Sequence, residues 1–385
     1  IAILGSTGSI GKTLINILNK DKDNIKIKLL TTNKNINELI KQIKIFKVQN
    51  VIVTNYEKFL YLKKKLRNKN INVYNNFNLI NKIFKKKKYL DYTMNAISGL
   101  EGLEPTLNII KFTKKIAIAN KESIICGWSL IQKELNDNKT NFIPIDSEHF
   151  SIWSLINNAK DNNIEKIYLT ASGGPFKNLS FLKFKSITPK AALKHPNWIM
   201  GKKITIDSAT MMNKVFEVIE AKKIFNIQYN KIKILVHSKS YVHALVKFTN
   251  GLTKILIHDT NMTIPIFNSI YPNFEKKINS QKLNLTILND LNFEEVNKRK
   301  FPIVEILKKL PNQDSLFETI IVTANDRLVQ MFLNKKIKFI DISKLLFRII
   351  NSKEFSKYKR IKPKNIKEIK QLSNYVSLKI SSLSV

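Results

Sequence analysis

The opening residues, IAILGSTGSIGKTLINILNK, restrict the fold of the chain more than any other stretch. A short apolar run leads into a turn holding Gly5, Gly8 and Gly11, and an amphipathic helical segment follows. Glycines at such a turn let the backbone reverse tightly and approach a pyrophosphate, whose charge then sits at the helix N-terminus. Glycine is scarce here, 10 in 385 residues, against about 7% in average proteins. Three of them within residues 5 to 11 mark a place where backbone geometry demands glycine. The spacing is GxxGxxG rather than GxGxxG, and the flanking strand and helix make dinucleotide binding the expectation.

The second strand, IKIKLLTTNKN, tests which dinucleotide is meant. An NAD site usually ends this strand in a carboxylate that holds the ribose hydroxyls. Here it ends in Thr31, Thr32, Asn33, Lys34 and Asn35. Nothing repels a 2′-phosphate and Lys34 can pair with one, so NADPH is expected; the competing reading is a solvated lysine in a lysine-rich chain. Further strands at NVIVTN, YTMNAIS and KKIAIANKES alternate with helical segments. That alternation predicts a doubly wound parallel sheet, with ligands at the carboxyl ends of its strands. Asn120, Lys121 and Glu122 in ANKES should therefore face the cofactor, unless they form an ordinary loop capped by Ser123.

A formal charge of +37 raises the question of nucleic acid. Lysine is spread through nearly every segment, arginine is rare, and no recognition motif appears, so specific nucleic-acid binding is not expected. A basic surface would still attract phosphorylated small molecules. The single cysteine, Cys126, excludes an internal disulfide framework and any multi-cysteine metal site, and suits a reducing compartment. No apolar run approaches the roughly 18 residues of a membrane helix. The length suits two or three domains. PIVEILKKL, SLFETIIVTANDRLVQMFLN and ISKLLFRIINS read as three C-terminal helices.

The middle of the chain is richer chemically. FIPIDSEHFSIW carries Asp146 and Glu148, whose side chains would point the same way in an extended segment. Glu217 and Glu220 lie in a helix candidate, ATMMNKVFEVIEAKKIF, on one polar face with Asn213 and Lys214. Met211, Met212, Val215, Phe216 and Ile219 suffice for a core on the other side, which leaves the polar stripe to solvent or to a site. Oxygen donors without a Cys/His cluster favour Mg²⁺ or Mn²⁺ over zinc. LTASGGPF is a strand entering a turn whose Ser172 hydroxyl and open amides suit a phosphate, with Ser208, Asn213 and Lys214 as further donors. HPNWIMG, with Pro196, Trp198 and Gly201, reads as a lid.

GSTGSIG, ANKES, DSEH, SGGPF, HPNWIMGKKITIDSATMMNK and EVIEA follow one another in an order and spacing that resemble the 1-deoxy-D-xylulose 5-phosphate reductoisomerase family. The likeness spans essentially the whole chain and weakens after about residue 260. It implies an α/β protein: a Rossmann-like NADPH-binding domain over 1–146, a catalytic, metal-binding and dimerisation domain over 147–275, a linker over 276–297 and a helical domain over 298–385. The implied reaction rearranges and reduces 1-deoxy-D-xylulose 5-phosphate to 2-C-methyl-D-erythritol 4-phosphate in non-mevalonate isoprenoid synthesis. NADPH and one divalent cation per active site are implied as cofactors.

Carried over by motif, Asp146, Glu148 and Glu217 would be metal ligands, and Lys121, Glu148 and His195 would act at the reacting centre. Ser147, Ser172, Trp198, Met200, Ser208, Asn213, Lys214 and Glu217 would contact substrate. Thr7, Gly8, Ser9, Ile10, Asn33, Lys34, Asn35, Asn120, Glu122 and Gly201 would hold NADPH. A cytoplasmic homodimer without a membrane partner is implied. Ser238, Lys239 and Tyr241 stand where the family usually shows Pro, Gln or Glu, and a small aliphatic residue. Asn261 and Thr263 replace Asp and Arg, and Asp326 replaces Glu. The first two departures fall where the family builds its dimer sheet. Two rivals remain: a semialdehyde-type NADP dehydrogenase, which needs Cys126 as nucleophile, and a basic nucleotide- or nucleic-acid-binding protein without turnover.

Overall fold

The computed structural model describes residues 1–67, 69–156, 163–195, 197–198, 200–272 and 276–382. The chain divides into two compact units, the first made of residues 1–123, 130–150 and 262–279, the second of 124–129, 151–261 and 280–385.

In the first unit, seven short strands form one parallel sheet: β1 (Ala2–Leu4), β2 (Leu29–Thr32), β3 (Asn50–Val53), β4 (Asn72–Tyr74), β5 (Leu90–Asn95), β6 (Thr113–Ile118) and β7 (Asn141–Pro144). Their order is β4-β3-β2-β1-β5-β6-β7, so the chain winds outward from β1 in one direction and returns to wind outward through β5 in the other. This is the doubly wound α/β arrangement expected from the sequence, and it puts a switch point at the carboxyl ends of β1 and β5. Buried Ile3, Leu30, Val51 and Met94 on the strands meet Leu14 and Leu18 of the helix Ser9–Asn19 and Leu39 and Ile43 of the helix Ile36–Phe46. Segment 262–279 joins this core through Ile266 and Phe267, and the Tyr92 hydroxyl lies 2.7 Å from Ser269 Oγ.

The second unit is built on a five-stranded sheet in the order β11-β10-β8-β9-β12, made of β8 (Ile164–Ala171), β9 (Ile232–Val236), β10 (Val242–Phe248), β11 (Thr253–Ile257) and β12 (Glu294–Glu295). Only β8 and β9 run parallel. The helix Met212–Phe225 packs Val218, Ala221 and Phe225 against Leu169, Ala244 and Val246 of the sheet. Both faces of this helix are buried: Lys214, Glu217, Glu220 and Lys223 are buried along with Val215 and Ile219. The polar stripe read from the sequence is therefore enclosed rather than solvated.

The C-terminal region is helical, with helices over Phe317–Leu333, Phe339–Ile350 and Ile366–Ser382. The sequence reading needs two corrections here. PIVEILKKL forms a 3₁₀ segment, Pro302–Lys309, and the last helix was not anticipated. Its apolar residues Ile369, Leu372, Val376 and Ile380 are spaced for one buried face but diluted by Lys, Asn and Ser. Phe339 meets Phe176, Phe184 and Phe332 at centroid distances of 5.3, 6.0 and 5.6 Å, which ties these helices to the segment following the Ser-Gly-Gly turn.

Candidate functional site

In the first unit the glycine turn is as tight as its spacing predicts. Gly5 sits at φ 78°, and a Cβ there would fall 2.9 Å from the Ala96 carbonyl carbon. A Cβ on Gly11 would lie 2.4 Å from the Gly5 carbonyl oxygen, so the helix can seat on the turn only through a glycine. Gly8 is the N-cap of the helix Ser9–Asn19 and brings no side chain to its first amides. The Lys12 N–H reaches the Gly8 carbonyl at 2.9 Å, while Ser9 and Ile10 lie a turn earlier, where helix amides lack intrahelical partners. That leaves donors for an anion. Thr7 Oγ1 lies 2.6 Å from Thr32 Oγ1 and fastens the turn to β2. Beyond β2, Asn33 donates to Thr54 Oγ1 at 2.8 Å, Asn35 caps the helix Ile36–Phe46 by accepting from the Glu38 N–H, and Lys34 is exposed.

At the end of β6, Asn120 caps the helix Lys121–Asp137. Its side chain accepts from the Ser123 N–H at 2.8 Å and donates to the carbonyls of Ile97 and Gly99. The cap is therefore Asn120, with Ser123 as its donor. Lys121 and Glu122 occupy the first turn and are both nearly buried. After β7 the chain turns into the helix Ser147–Leu155, so DSEH is a helix start and not the extended segment read from the sequence. Asp146 precedes that helix and accepts from the Glu148 N–H at 3.2 Å. Lys121 Nζ lies 3.0 Å from Asp146 Oδ2, and His149 Nδ1 lies 3.2 Å from Asp146 Oδ1. Ser147 Oγ donates to Glu148 at 2.5 Å. Adjacent parallel strands thus set an ammonium beside two carboxylates that begin a helix. His149 was missed as part of this cluster; its three-residue helical spacing from Asp146 was the available signal.

In the second unit, β8 runs into a turn of Ser172, Gly173 and Gly174. Gly174, at φ 67°, packs so closely on the helix Lys202–Thr210 that a Cβ would lie 2.9 Å from the Ser208 carbonyl oxygen. His195 Nε2 bridges the two hydroxyls, 3.2 Å from Ser172 Oγ and 3.1 Å from Ser208 Oγ. Its Nδ1 accepts from the N–H groups of Asn197 and Trp198, at 3.1 and 3.0 Å. An Nδ1 that accepts twice carries no proton, which places the ring proton on Nε2, facing the serines. Burial holds the His195 pKa below its ordinary value and favours this neutral form.

Asn197 also donates to the Ser238 carbonyl and to Ser240 Oγ, both at 2.8 Å, and the Trp198 ring stands edge-on to His243 at 6.2 Å. The loop is therefore seated on the departing 238–241 segment. Met200 is half-buried, Gly201 is exposed, and Pro196 of the expected lid lies outside the described residues. In the helix Met212–Phe225, Glu217 accepts from Asn213 Nδ2 at 2.5 Å and pairs with Lys214.

These residues form two clusters. The first unit offers Lys121, Asp146, Ser147 and Glu148, with the amide-rich turn on the same sheet. The second offers Ser172, His195 and Ser208 as one hydrogen-bonded group and Asn213, Lys214 and Glu217 as another. The acidic donors are oxygens only, which suits a hard divalent cation. Hydroxyls, an imidazole N–H and an ammonium suit a phosphate. Cys126 is buried in the helix Lys121–Asp137, a poor position for a nucleophile.

Comparison with known proteins gives a consistent family. Residues 1–127 match the model for 1-deoxy-D-xylulose 5-phosphate reductoisomerase, and 142–225 and 258–376 match models for its C-terminal domains. The chain is 64% identical over 385 residues to the 1-deoxy-D-xylulose 5-phosphate reductoisomerase of Pelagibacter ubique (strain HTCC1062), covering 100% of this chain and 99% of that protein. It is 37% identical to the same enzyme of Sulfurihydrogenibium sp. (strain YO3AOP1), over 93% of this chain and 92% of that protein. Among solved structures it is similar to the Zymomonas mobilis reductoisomerase in complex with NADPH, at a TM-score of 0.88 and 29% identity, covering 100% and 98% of the two chains. It is also similar to a DOX-P reductoisomerase in complex with NADPH, fosmidomycin and magnesium, at a TM-score of 0.89 and 28% identity, covering 100% and 97%.

Proposed function

The chain belongs to the 1-deoxy-D-xylulose 5-phosphate reductoisomerase family, and from that premise we propose which of its residues carry the reaction. It is an NADPH- and divalent-metal-dependent oxidoreductase that converts 1-deoxy-D-xylulose 5-phosphate to 2-C-methyl-D-erythritol 4-phosphate in isoprenoid synthesis. Residues 1–146 serve NADPH binding, 147–275 catalysis and dimerisation, 276–297 a linker and 298–385 the helical domain. Asp146, Glu148 and Glu217 hold the metal, whose positive charge, when bound, stabilises negative charge developing on the substrate's adjacent oxygens.

Lys121 works from beside Asp146, where its ammonium can add charge or move a proton at the reacting carbon's oxygen. Ser147 and Glu148 orient the substrate hydroxyls. Ser172, Ser208, Asn213 and Lys214 take the phosphate, with the His195 Nε2–H as a further donor between the two serines. Trp198 and Met200 cover the substrate, and remote phosphate binding positions the reacting end. Thr7, Gly8, Ser9 and Ile10 cradle the NADPH pyrophosphate, Asn33, Lys34 and Asn35 its adenosine end, and Asn120, Glu122 and Gly201 its nicotinamide end.

The observation that carries this assignment is His195 lying between Ser172 and Ser208, which joins the SGGPF motif to both ends of the stretch from His195 to Ser208 in one hydrogen-bonded cluster. The test is NADPH oxidation by the purified chain with 1-deoxy-D-xylulose 5-phosphate, with Mg²⁺ and then with a chelator. Turnover that requires both substrate and metal is expected. A folded protein that binds NADPH and consumes none would instead favour a binding protein without turnover.

A homodimer is part of the same reading. β11 is an edge strand, and Leu252 and Ile255 on or beside it are 58% and 44% exposed. Exposed apolar edges are usually covered. Ile255→Glu is expected to shift the protein toward monomer in sedimentation velocity; an unchanged dimer would place the interface elsewhere. No helix among the described residues is long and apolar enough to cross a membrane. We place the enzyme in the cytoplasm, without specific nucleic-acid or membrane partners. The lone buried cysteine and the use of NADPH support that placement.

A further inference from the structure

Beyond β2 and β3 the first unit opens a cavity of about 440 Å³, lined by Lys34, Asn35, Asn37, Glu57, Lys58 and Tyr61. Two loops build it. Asn33 to Thr54 at 2.8 Å ties the ends of β2 and β3 together, and Asn35 and Asn55 cap the two helices that leave them by accepting from Glu38 and Lys58 N–H groups. Lys34 and Lys58 therefore flank one polar recess, Lys34 just before the cap of one helix and Lys58 in the first turn of the other.

Among the described residues, neither ammonium has an ion-pair partner. On the same helix, Tyr56–Lys65, the ammoniums of Lys63 and Lys65 lie over the rings of Phe59 and Tyr61. Lys58 instead belongs to the cavity lining with Lys34. Both helices begin at this recess, where the first turn of each carries the positive end of its dipole. Glu57 is the one carboxylate of the lining, so the recess keeps a net positive charge.

We propose that Lys58 is a second specificity-determining residue for NADPH, sharing the 2′-phosphate with Lys34. This rests on the reading that Lys34 faces the adenosine end of the cofactor. Two ammoniums across one recess suit a dianionic phosphomonoester better than either alone, whereas a ribose hydroxyl gains little from the second. Glu57 opposes the phosphate and therefore tempers the preference. Its removal acts in the direction opposite to removal of Lys58.

The test compares kcat/KM for NADPH with that for NADH, in the presence of Mg²⁺ and substrate, for the unmodified chain, Lys34→Gln, Lys58→Gln and Glu57→Gln. Exposed charge pairs of this kind alter affinity by up to about five-fold each. Lys58→Gln is expected to lower the NADPH-to-NADH ratio about that much, as Lys34→Gln does, while Glu57→Gln raises it. A ratio unmoved by Lys58→Gln but lowered by Lys34→Gln overturns the role of Lys58 and leaves the cofactor reading intact. A ratio unmoved by either lysine overturns both. Because all three side chains are exposed, matched circular dichroism spectra and melting temperatures separate lost recognition from lost folding.

Discussion

At the scale of single residues, charge state and hydrogen-bond direction make two predictions. Glu217 is enclosed with the Lys214 ammonium and the Asn213 amide. Glu217→Gln keeps the shape but leaves a buried ammonium facing a neutral group, which costs about 2 kcal/mol of stability. As a proposed metal ligand it should also lose at least about 100-fold in kcat. Melting curves and steady-state kinetics check the two parts separately. A stable variant of normal activity would remove Glu217 from the site.

His195 gives the pH dependence. Burial depresses its pKa below the unfolded value of 6.5. As pH falls through about 6.5 the unfolded chain takes up the proton first, so stability falls with pH and levels off only below the folded pKa. Protonation of Nδ1 would also set it against the N–H groups of Asn197 and Trp198. The melting temperature between pH 7.5 and 5.5 should therefore fall less in His195→Asn than in the unmodified chain, and the substrate KM should rise less on acidification. Equal slopes would sink the argument.

At the scale of elements, one buried contact fixes the helix that carries Lys214 and Glu217. Lys223 Nζ lies 2.5 Å from Asp314 Oδ1 and 3.3 Å from Glu318 Oε1, at the start of the helix Phe317–Leu333. Burial works against the lysine's charge, but Glu318 and Asp314 outweigh it and hold its pKa above the ordinary value. Lys223→Met strands Glu318 without its cation and is expected to cost about 3–5 kcal/mol. Adding Glu318→Leu should restore part of that loss, since the fully buried carboxylate is then gone and the remaining one, Asp314, keeps access to water. Additive losses in chemical denaturation would mean that the two side chains act independently.

The same helix shows where sequence reasoning stops. Its length and residue types follow from the sequence, but a one-sided pattern of apolar residues cannot reveal that both faces are covered, because part of the cover, Asp314 and Glu318 on Lys223, comes from far along the chain. The glycine turn was readable because it depends on neighbours in the chain: Gly5 needs φ 78°, and Gly11 needs room against Gly5. DSEH was misread as extended because a helix start and a strand end share i, i+2 proximity. PIVEILKKL carries an α-helical apolar spacing, and Pro302 at its first position suits an α-helix equally well, so nothing in the stretch itself signals the 3₁₀ turns it forms.

At the scale of the whole molecule, the +37 charge acts on folding and on anionic ligands alike. Several of the ion pairs lie at the surface, among them Lys114–Asp91 at 2.7 Å and Lys247–Glu165 at 2.7 Å, and such pairs contribute little. Acidic partners are too few for most of the lysines, so the net electrostatic term opposes compaction. Raising monovalent salt from about 0.01 to 0.15 M shortens the screening length from about 30 to about 8 Å. The repulsion is spread over the surface and is screened first, whereas pairs such as Lys223–Glu318 are buried and keep their attraction. The melting temperature should therefore rise with salt. NADPH and the sugar phosphate are both anions drawn to a cationic protein, so their KM values should rise over the same range. The two trends have one cause with opposite consequences, which makes their combination diagnostic. Salt that lowers the melting temperature would mean that attractive surface pairs, not lysine repulsion, dominate the folded state.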